Sequence, residues 1–191
     1  MERFTLLALL LFSSPAFAGE HILNPMLGAT DWSRNSGHTA NGSSFAFDND
    51  TSVTLGFKYL YRFDNGLAIG GSLMSYRKNV TNKSLAHKAY ITNMSGVIEY
   101  YFNSKGNNSP YIGFGLGGMG IGFDGGSLDG DSTGGSSIQL NAGMLYKFSD
   151  RFGLQFEYQY NTFDVNDDIH SNVTNIETYS HSLLIGLTIH L

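Results

Sequence analysis

The chain has 191 residues, one domain's length, and a net charge of −5 without any basic domain, which argues against a nucleic-acid partner. It contains no cysteine, so disulfides and thiolate metal sites are excluded. Glycine is abundant at 24 residues, proline is scarce at 3 and aromatics make up 14%, a mixture that suits closely packed strands better than helices.

Residues 1–18, "MERFTLLALLLFSSPAFA", place Arg3 before an apolar core from Phe4 to Phe12 and end in Ala16-Phe17-Ala18. This is the pattern of a signal peptide with an A-x-A cleavage site, and the apolar core is too short to span a bilayer. The mature domain is therefore expected over 19–191. No later stretch reads as a transmembrane helix, so membrane insertion would have to use strands.

Eight candidate strands follow. Residues 22–32 form the first, with Pro25 tolerable near a strand start. Residues 53–63, "VTLGFKYLYRF", put Val53, Leu55, Phe57, Tyr59, Tyr61 and Phe63 on one face and Thr54, Gly56, Lys58, Leu60 and Arg62 on the other. Residues 67–76 are a weaker, glycine-rich strand. Residues 90–102 separate Tyr90, Met94, Ile98, Tyr100 and Phe102 from Asn93, Ser95, Val97, Glu99 and Tyr101. Residues 111–123 are again glycine-rich, and a bulge at Gly117-Gly118 is expected to swap the faces there. Residues 138–148 set Ile138, Leu140, Met144, Tyr146 and Phe148 against Gln139, Asn141, Leu145 and Lys147. Residues 154–162 oppose Phe156, Tyr158 and Tyr160 to Gln155, Glu157, Gln159 and Asn161. Residues 179–191 close the series with Leu183, Ile185, Leu187, Ile189 and Leu191 against Ser182, Leu184, Gly186, Thr188 and His190.

The connectors alternate in length. Short ones fall at Asp64-Asn65-Gly66, a tight-turn signal, at 103–109 and at 149–151. Long polar ones cover about 33–52, 77–88, 124–137 and 163–178. Short turns on one side and long loops on the other are the signature of an outer-membrane barrel. Three strands reach their short turns with the same kind of triplet, Tyr61-Arg62-Phe63, Tyr100-Tyr101-Phe102 and Tyr146-Lys147-Phe148. Aromatics at one height on the greasy face predict a girdle at a membrane interface, with the intervening polar residue pointing inward. The fold class expected is all-β, an eight-stranded antiparallel up-and-down transmembrane β-barrel. Its lumen is just wide enough to be filled by side chains. Charges there must be paired, and Lys58, Arg62 and Lys147 with Glu99 and Glu157 form the expected lumen network in the half nearer the short turns.

The segments "PYIGFGLGGMGIGF", "GLQFEYQYNTF" and "HSLLIGLTIHL" resemble the opacity-type, OmpA-like outer-membrane barrel domain of Gram-negative bacteria, and the resemblance spans essentially all of the mature chain. It implies location in the cell outer membrane and recognition by the barrel-assembly machinery during biogenesis. Gly186, Ile189 and Leu191 match the family's C-terminal assembly signal. The chain departs from the usual signal in ending on Leu191 instead of an aromatic residue, and in placing Leu184 where a polar residue usually precedes the glycine.

Catalytic and metal sites find little support. His170, Ser171 and Glu177 faintly resemble the residue set of the lipid A deacylases, but adjacent His170 and Ser171 point to opposite faces of an extended strand. Asp164, Asn166 and Asp168 open like a calcium loop, but Ile169 replaces the required glycine and Asn175 stands at the bidentate glutamate position. The six histidines are scattered, with His38, His87 and His170 in loops, and no cofactor is expected. The 77–88 loop is basic through Arg77, Lys78, Lys83 and Lys88, which suits lipopolysaccharide phosphates, whereas the other long loops lean acidic. The function expected is that of a monomeric, non-enzymatic barrel with a structural or adhesion-like role, its loops meeting a host or surface ligand. A narrow pore and a lipid A-modifying enzyme are the alternatives.

Overall fold

The computed structural model describes residues 19–39, 42–48, 51–103, 106–165 and 173–191; the leader 1–18 lies outside them. In chain order the elements are β1 (Gly19–Thr39), β2 (Ser44–Ala46), β3 (Ser52–Phe63), β4 (Leu67–Asn79), β5 (Lys88–Tyr101), β6 (Asn108–Asp124), a single 3-10 turn (Gly126–Leu128), β7 (Ser132–Lys147), β8 (Phe152–Val165) and β9 (Val173–His190). Every long strand pairs antiparallel with the next, and β1 also pairs with β9. The eight long strands thus close into an antiparallel barrel. Closure pairs the edges that an open sheet would leave unsatisfied. β2 is not a wall strand: it pairs only with Ser36–His38, where β1 has passed the end of its ladder with β3.

The wall is inside out relative to a soluble protein. Val53, Met94 and Leu183 are each 69% exposed, whereas Lys58 and Glu99 are 0% exposed. Such a surface suits hydrocarbon, not water. No helix among the described residues is long and apolar enough to cross a membrane; here the strands carry the apolar band.

Two outward collars mark its limits. At the short-turn end His21 Nδ1 lies 2.7 Å from the Tyr59 hydroxyl, its ring packs on Tyr61, and Tyr61 meets Phe63 edge-on at 4.9 Å. Tyr100 and Phe102 repeat that pair at 5.3 Å, and Tyr146 and Phe148 are exposed at the same end. At the other end Tyr158 and His181 are hydrogen-bonded at 2.6 Å, and Tyr160 stacks on Tyr179. His181 is opposite Asp31 on β1, ten residues beyond His21. At about 3.3 Å per residue and a tilt of about 40°, ten residues rise roughly 25 Å, the height of an outer-membrane barrel's apolar band.

Three expectations change. The strands run past the expected loop boundaries: β6 and β7 leave only residues 125–131 between them where a connector over 124–137 was expected. There is no bulge at Gly117-Gly118, because the β5–β6 ladder passes through Ser95↔Gly117 and Met94↔Gly118 without a shift. The faces of β6 therefore stay constant, and Tyr111, Met119, Ile121 and Phe123 all point inward. The upper lumen is apolar, so Met119, Ile121 and Phe123 are accommodated there without a change of face. Finally, β1 begins at Gly19 and brings Glu20 into the barrel. Pro25 fits because the β1–β9 ladder lapses at Asn24 and Pro25 while the β1–β3 ladder is unbroken.

Candidate functional site

The lower lumen, nearest the short turns, is built around two carboxylates. Lys58 on β3 donates to Glu99 Oε1 on β5 at 2.6 Å and to Glu157 Oε2 on β8 at 2.5 Å. Both acids are further bonded. The Tyr101 hydroxyl donates to Glu99 Oε2 at 2.8 Å, and Asn141 Nδ2 donates to Glu99 Oε1 at 2.5 Å. The Tyr111 hydroxyl donates to Glu157 Oε2 at 2.6 Å, with Gln155 Nε2 bonding both that hydroxyl and that carboxylate. Alternation explains the convergence: five strands each contribute inward positions at this height, so one ammonium group joins β3 to β5 and β8, and the two carboxylates add β6 and β7. Charges so deeply buried are tolerable only with this density of partners.

Arg62 and Lys147 do not join that hub. Both turn to Glu20, one layer closer to the short turns: Arg62 Nη2 bonds Glu20 Oε1, Lys147 Nζ lies 3.1 and 3.2 Å from the two carboxylate oxygens, and His190 Nδ1 lies 3.1 Å from Oε2. The Arg62 guanidinium covers the Tyr101 ring at 4.9 Å, linking the two layers. Lys58, Arg62 and Lys147 thus face Glu20, Glu99 and Glu157, three cations to three carboxylates. The sequence reading omitted Glu20 because it started the strand at 22. The same parity that turns Asn24 and Met26 inward identifies Glu20.

The upper lumen has different contents. Trp32 packs edge-on against Tyr76 at 5.2 Å and stacks on Phe163 at 5.7 Å, and its indole donates to Ser52 Oγ. Met74, Ile91, Met119, Ile121 and Phe123 complete a continuous apolar cluster that reaches Phe47, Val80, Ala86 and Leu128 in the connectors. Backbone hydrogen bonds knit those connectors together. Thr81 N donates to Ala46 O, Asp48 N to Asn79 O, Ser127 N to Ser84 O and Leu128 N to Leu85 O. Three connectors therefore form a cap whose apolar side chains extend the plug.

The basic cluster expected over 77–88 is split. Lys78 turns into the lumen and is 3% exposed, so it is removed from the outer surface. Arg77 faces outward over the Tyr90 ring at 5.9 Å, and Lys88 faces outward opposite Asp124. Lys83 is exposed in the connector. On β9, Gly186 faces inward against Asn24 and Met26, while Ile189 and Leu191 lie on the outer wall at the β1–β9 seam. His170, Ser171, Asn166, Asp168 and Ile169 lie outside the described residues, as do the side chains of Asn175 and Glu177. Among the described residues no three His, Asp or Glu side chains converge on a point that would hold a metal ion.

The family profile of the outer membrane protein beta-barrel domain matches residues 4–188. No curated protein sequence matches the chain. Solved structures do. Neisserial surface protein A is 17% identical with a TM-score of 0.60, covering 89% of this chain and 96% of its own. Ail, the attachment invasion locus protein of Yersinia pestis, in complex with the heparin analogue sucrose octasulfate, is 15% identical with a TM-score of 0.59, covering 91% and 99%. The outer membrane protein OprG from Pseudomonas aeruginosa is 15% identical with a TM-score of 0.60, covering 92% and 97%. At these identities the likeness is one of fold.

Proposed function

Because the chain belongs to the outer membrane protein β-barrel domain family, we propose that it is a sealed, non-enzymatic envelope barrel that acts through its extracellular rim and connectors. The observation that carries this reading is the filled lumen. A fully buried ammonium bridges two fully buried carboxylates below, and an aromatic plug under a hydrogen-bonded cap lies above. A pore needs a continuous aqueous path, and the packing of both sections argues against one. The reading includes export by the leader 1–18, handling by the barrel-assembly machinery through Gly186, Ile189 and Leu191, and action as a monomer. A host or surface ligand would meet the connectors, as the name of the Yersinia attachment protein suggests for a barrel of the same architecture. Purified protein in planar bilayers tests the sealed lumen: it should give no steady ion current, and a steady current would favour the narrow pore.

Lipopolysaccharide is the second partner in this reading. Arg77, Lys83 and Lys88 stand at or above the upper limit of the apolar band, where phosphates of the outer leaflet lie within reach of charge-assisted hydrogen bonds. Neutralising the three together should weaken lipopolysaccharide binding while the cold-gel mobility of the folded barrel stays unchanged. Unaltered binding would remove this role.

A further inference from the structure

The β1–β9 ladder, where the barrel closes, lapses at Asn24 and Pro25. Four polar side chains turn into the lumen around that gap. The register that pairs Ile22 with His190 and Leu23 with Ile189 brings Asn24 opposite Thr188. Gln155 and Met26 flank Gly186, and Asn24 Oδ1 occupies the space that a Cβ at Gly186 would fill. Glu157 stands two residues beyond Gln155 on the same face of β8. Asn24, Gln155, Glu157 and Thr188 are each at most 3% exposed. Yet Asn24 Oδ1 and Nδ2, Gln155 Oε1, Glu157 Oε1 and Thr188 Oγ1 have no hydrogen-bond partner among the described residues. Such atoms are costly to bury unless something meets them. The orientation of Gln155 is settled, because its Nε2 is committed to the Tyr111 hydroxyl and to Glu157 Oε2. Gln155 Oε1 and Glu157 Oε1 can only accept, so neither satisfies the other.

We propose that these oxygens form a site for a small monovalent cation, sodium in chemical class, that staples the closing seam to the hub. Glu157 Oε1, Gln155 Oε1, Asn24 Oδ1 and Thr188 Oγ1 are hard oxygen donors on three neighbouring strands, β8, β9 and β1. One carboxylate among them matches a single positive charge and falls short of a divalent one. The local charge favours a cation over water. Lys58 alone answers Glu99 and Glu157, while Arg62 and Lys147 are drawn to Glu20 one layer closer to the short turns. The position is also the one where a staple acts. Among the described residues the hub's hydrogen bonds join β3, β5, β6, β7 and β8 and reach neither β1 nor β9. An ion shared by Glu157, Thr188 and Asn24 joins those two strands to the hub, beside the gap in their ladder.

Urea unfolding of the purified protein from phosphatidylcholine vesicles, free of lipopolysaccharide, tests the site. At equal ionic strength the midpoint should be higher in sodium chloride than in choline chloride. The gain should saturate with sodium, as binding to one site of the folded state requires. Thr188→Val and Asn24→Leu keep the shape of the side chain and remove its oxygen. Both should show one midpoint in the two salts while retaining the cold-gel shift of a folded barrel. Thr54→Val makes the same change on β3, outside the site, and should keep the sodium dependence. The comparison in the native protein needs no substitution, so it stands even where a variant fails to fold. Equal midpoints of the native protein in sodium and choline, as ordered water in the site would give, overturn the proposal. So does a sodium effect that survives both substitutions, or one that Thr54→Val also abolishes.

Discussion

Below the mid-barrel the lumen is held by a few directed, charged contacts; above it, by many undirected apolar ones. Lys58, Glu99 and Glu157 share one hub in which each partner is specified by geometry, while Trp32, Tyr76, Met119, Phe123 and Phe163 fill volume. Between them lie polar positions of neither kind. Asn24 and Gln159 are fully buried, and neither side-chain amide has a hydrogen-bond partner among the described residues. The difference teaches how a narrow barrel can be sealed. An ionic layer fixes which strands meet, because a misplaced charge is costly, whereas an apolar layer tolerates exchange as long as the volume is kept.

The comparison breaks most readily at the hub. Lys58→Met leaves two buried carboxylates without their cation and should cost about 3–5 kcal/mol, read as a lowered urea midpoint for unfolding from vesicles. A near-neutral result would mean that the hub contributes nothing to specificity. Next in size is the wall itself. Leu187→Arg, facing lipid on β9, should cost about 2–4 kcal/mol of insertion free energy. Unimpaired folding into bilayers would invert the assignment of faces. A gain is expected in the middle section: Gln159→Met removes an unpaired amide and should stabilise by about 1–3 kcal/mol. A loss there would show that the amide is satisfied in solution. The smallest effect belongs to the upper lumen, where Met119→Leu should cost about 1.5 kcal/mol or less. A penalty equal to that of Lys58→Met would erase the distinction between the halves.

Much of this was legible in the sequence where one face is apolar and the other polar. Over 53–63, 138–148 and 154–162 the parity reading assigns each side chain to the face it occupies, because only a greasy-out wall separates Phe57 from Lys58 or Phe156 from Glu157. Above the membrane the signal fades, since both faces of "STGGSS" at 132–137 are small and polar and a period of two has nothing to contrast. The expected loops were therefore too long. In β6 the contrast is inverted: glycines face outward at 118, 120 and 122 while Met119, Ile121 and Phe123 fill the lumen, and this produced the mistaken bulge. Lys78 was counted with its neighbours by charge alone, although alternation from Arg77 turns it inward. The cap could not be read at all, because it depends on backbone bonds between connectors distant in sequence, such as Leu128 to Leu85.

The two-layer seal is tested most directly by the current through single reconstituted barrels in which the hub alone has been removed, with Lys58→Met, Glu99→Gln and Glu157→Gln combined. The aromatic plug and its cap do not depend on those charges, so the variant should unfold more easily yet still pass no steady current. A steady current from this variant, with the cap intact, would show that the ionic layer is the sole barrier and would contradict the account.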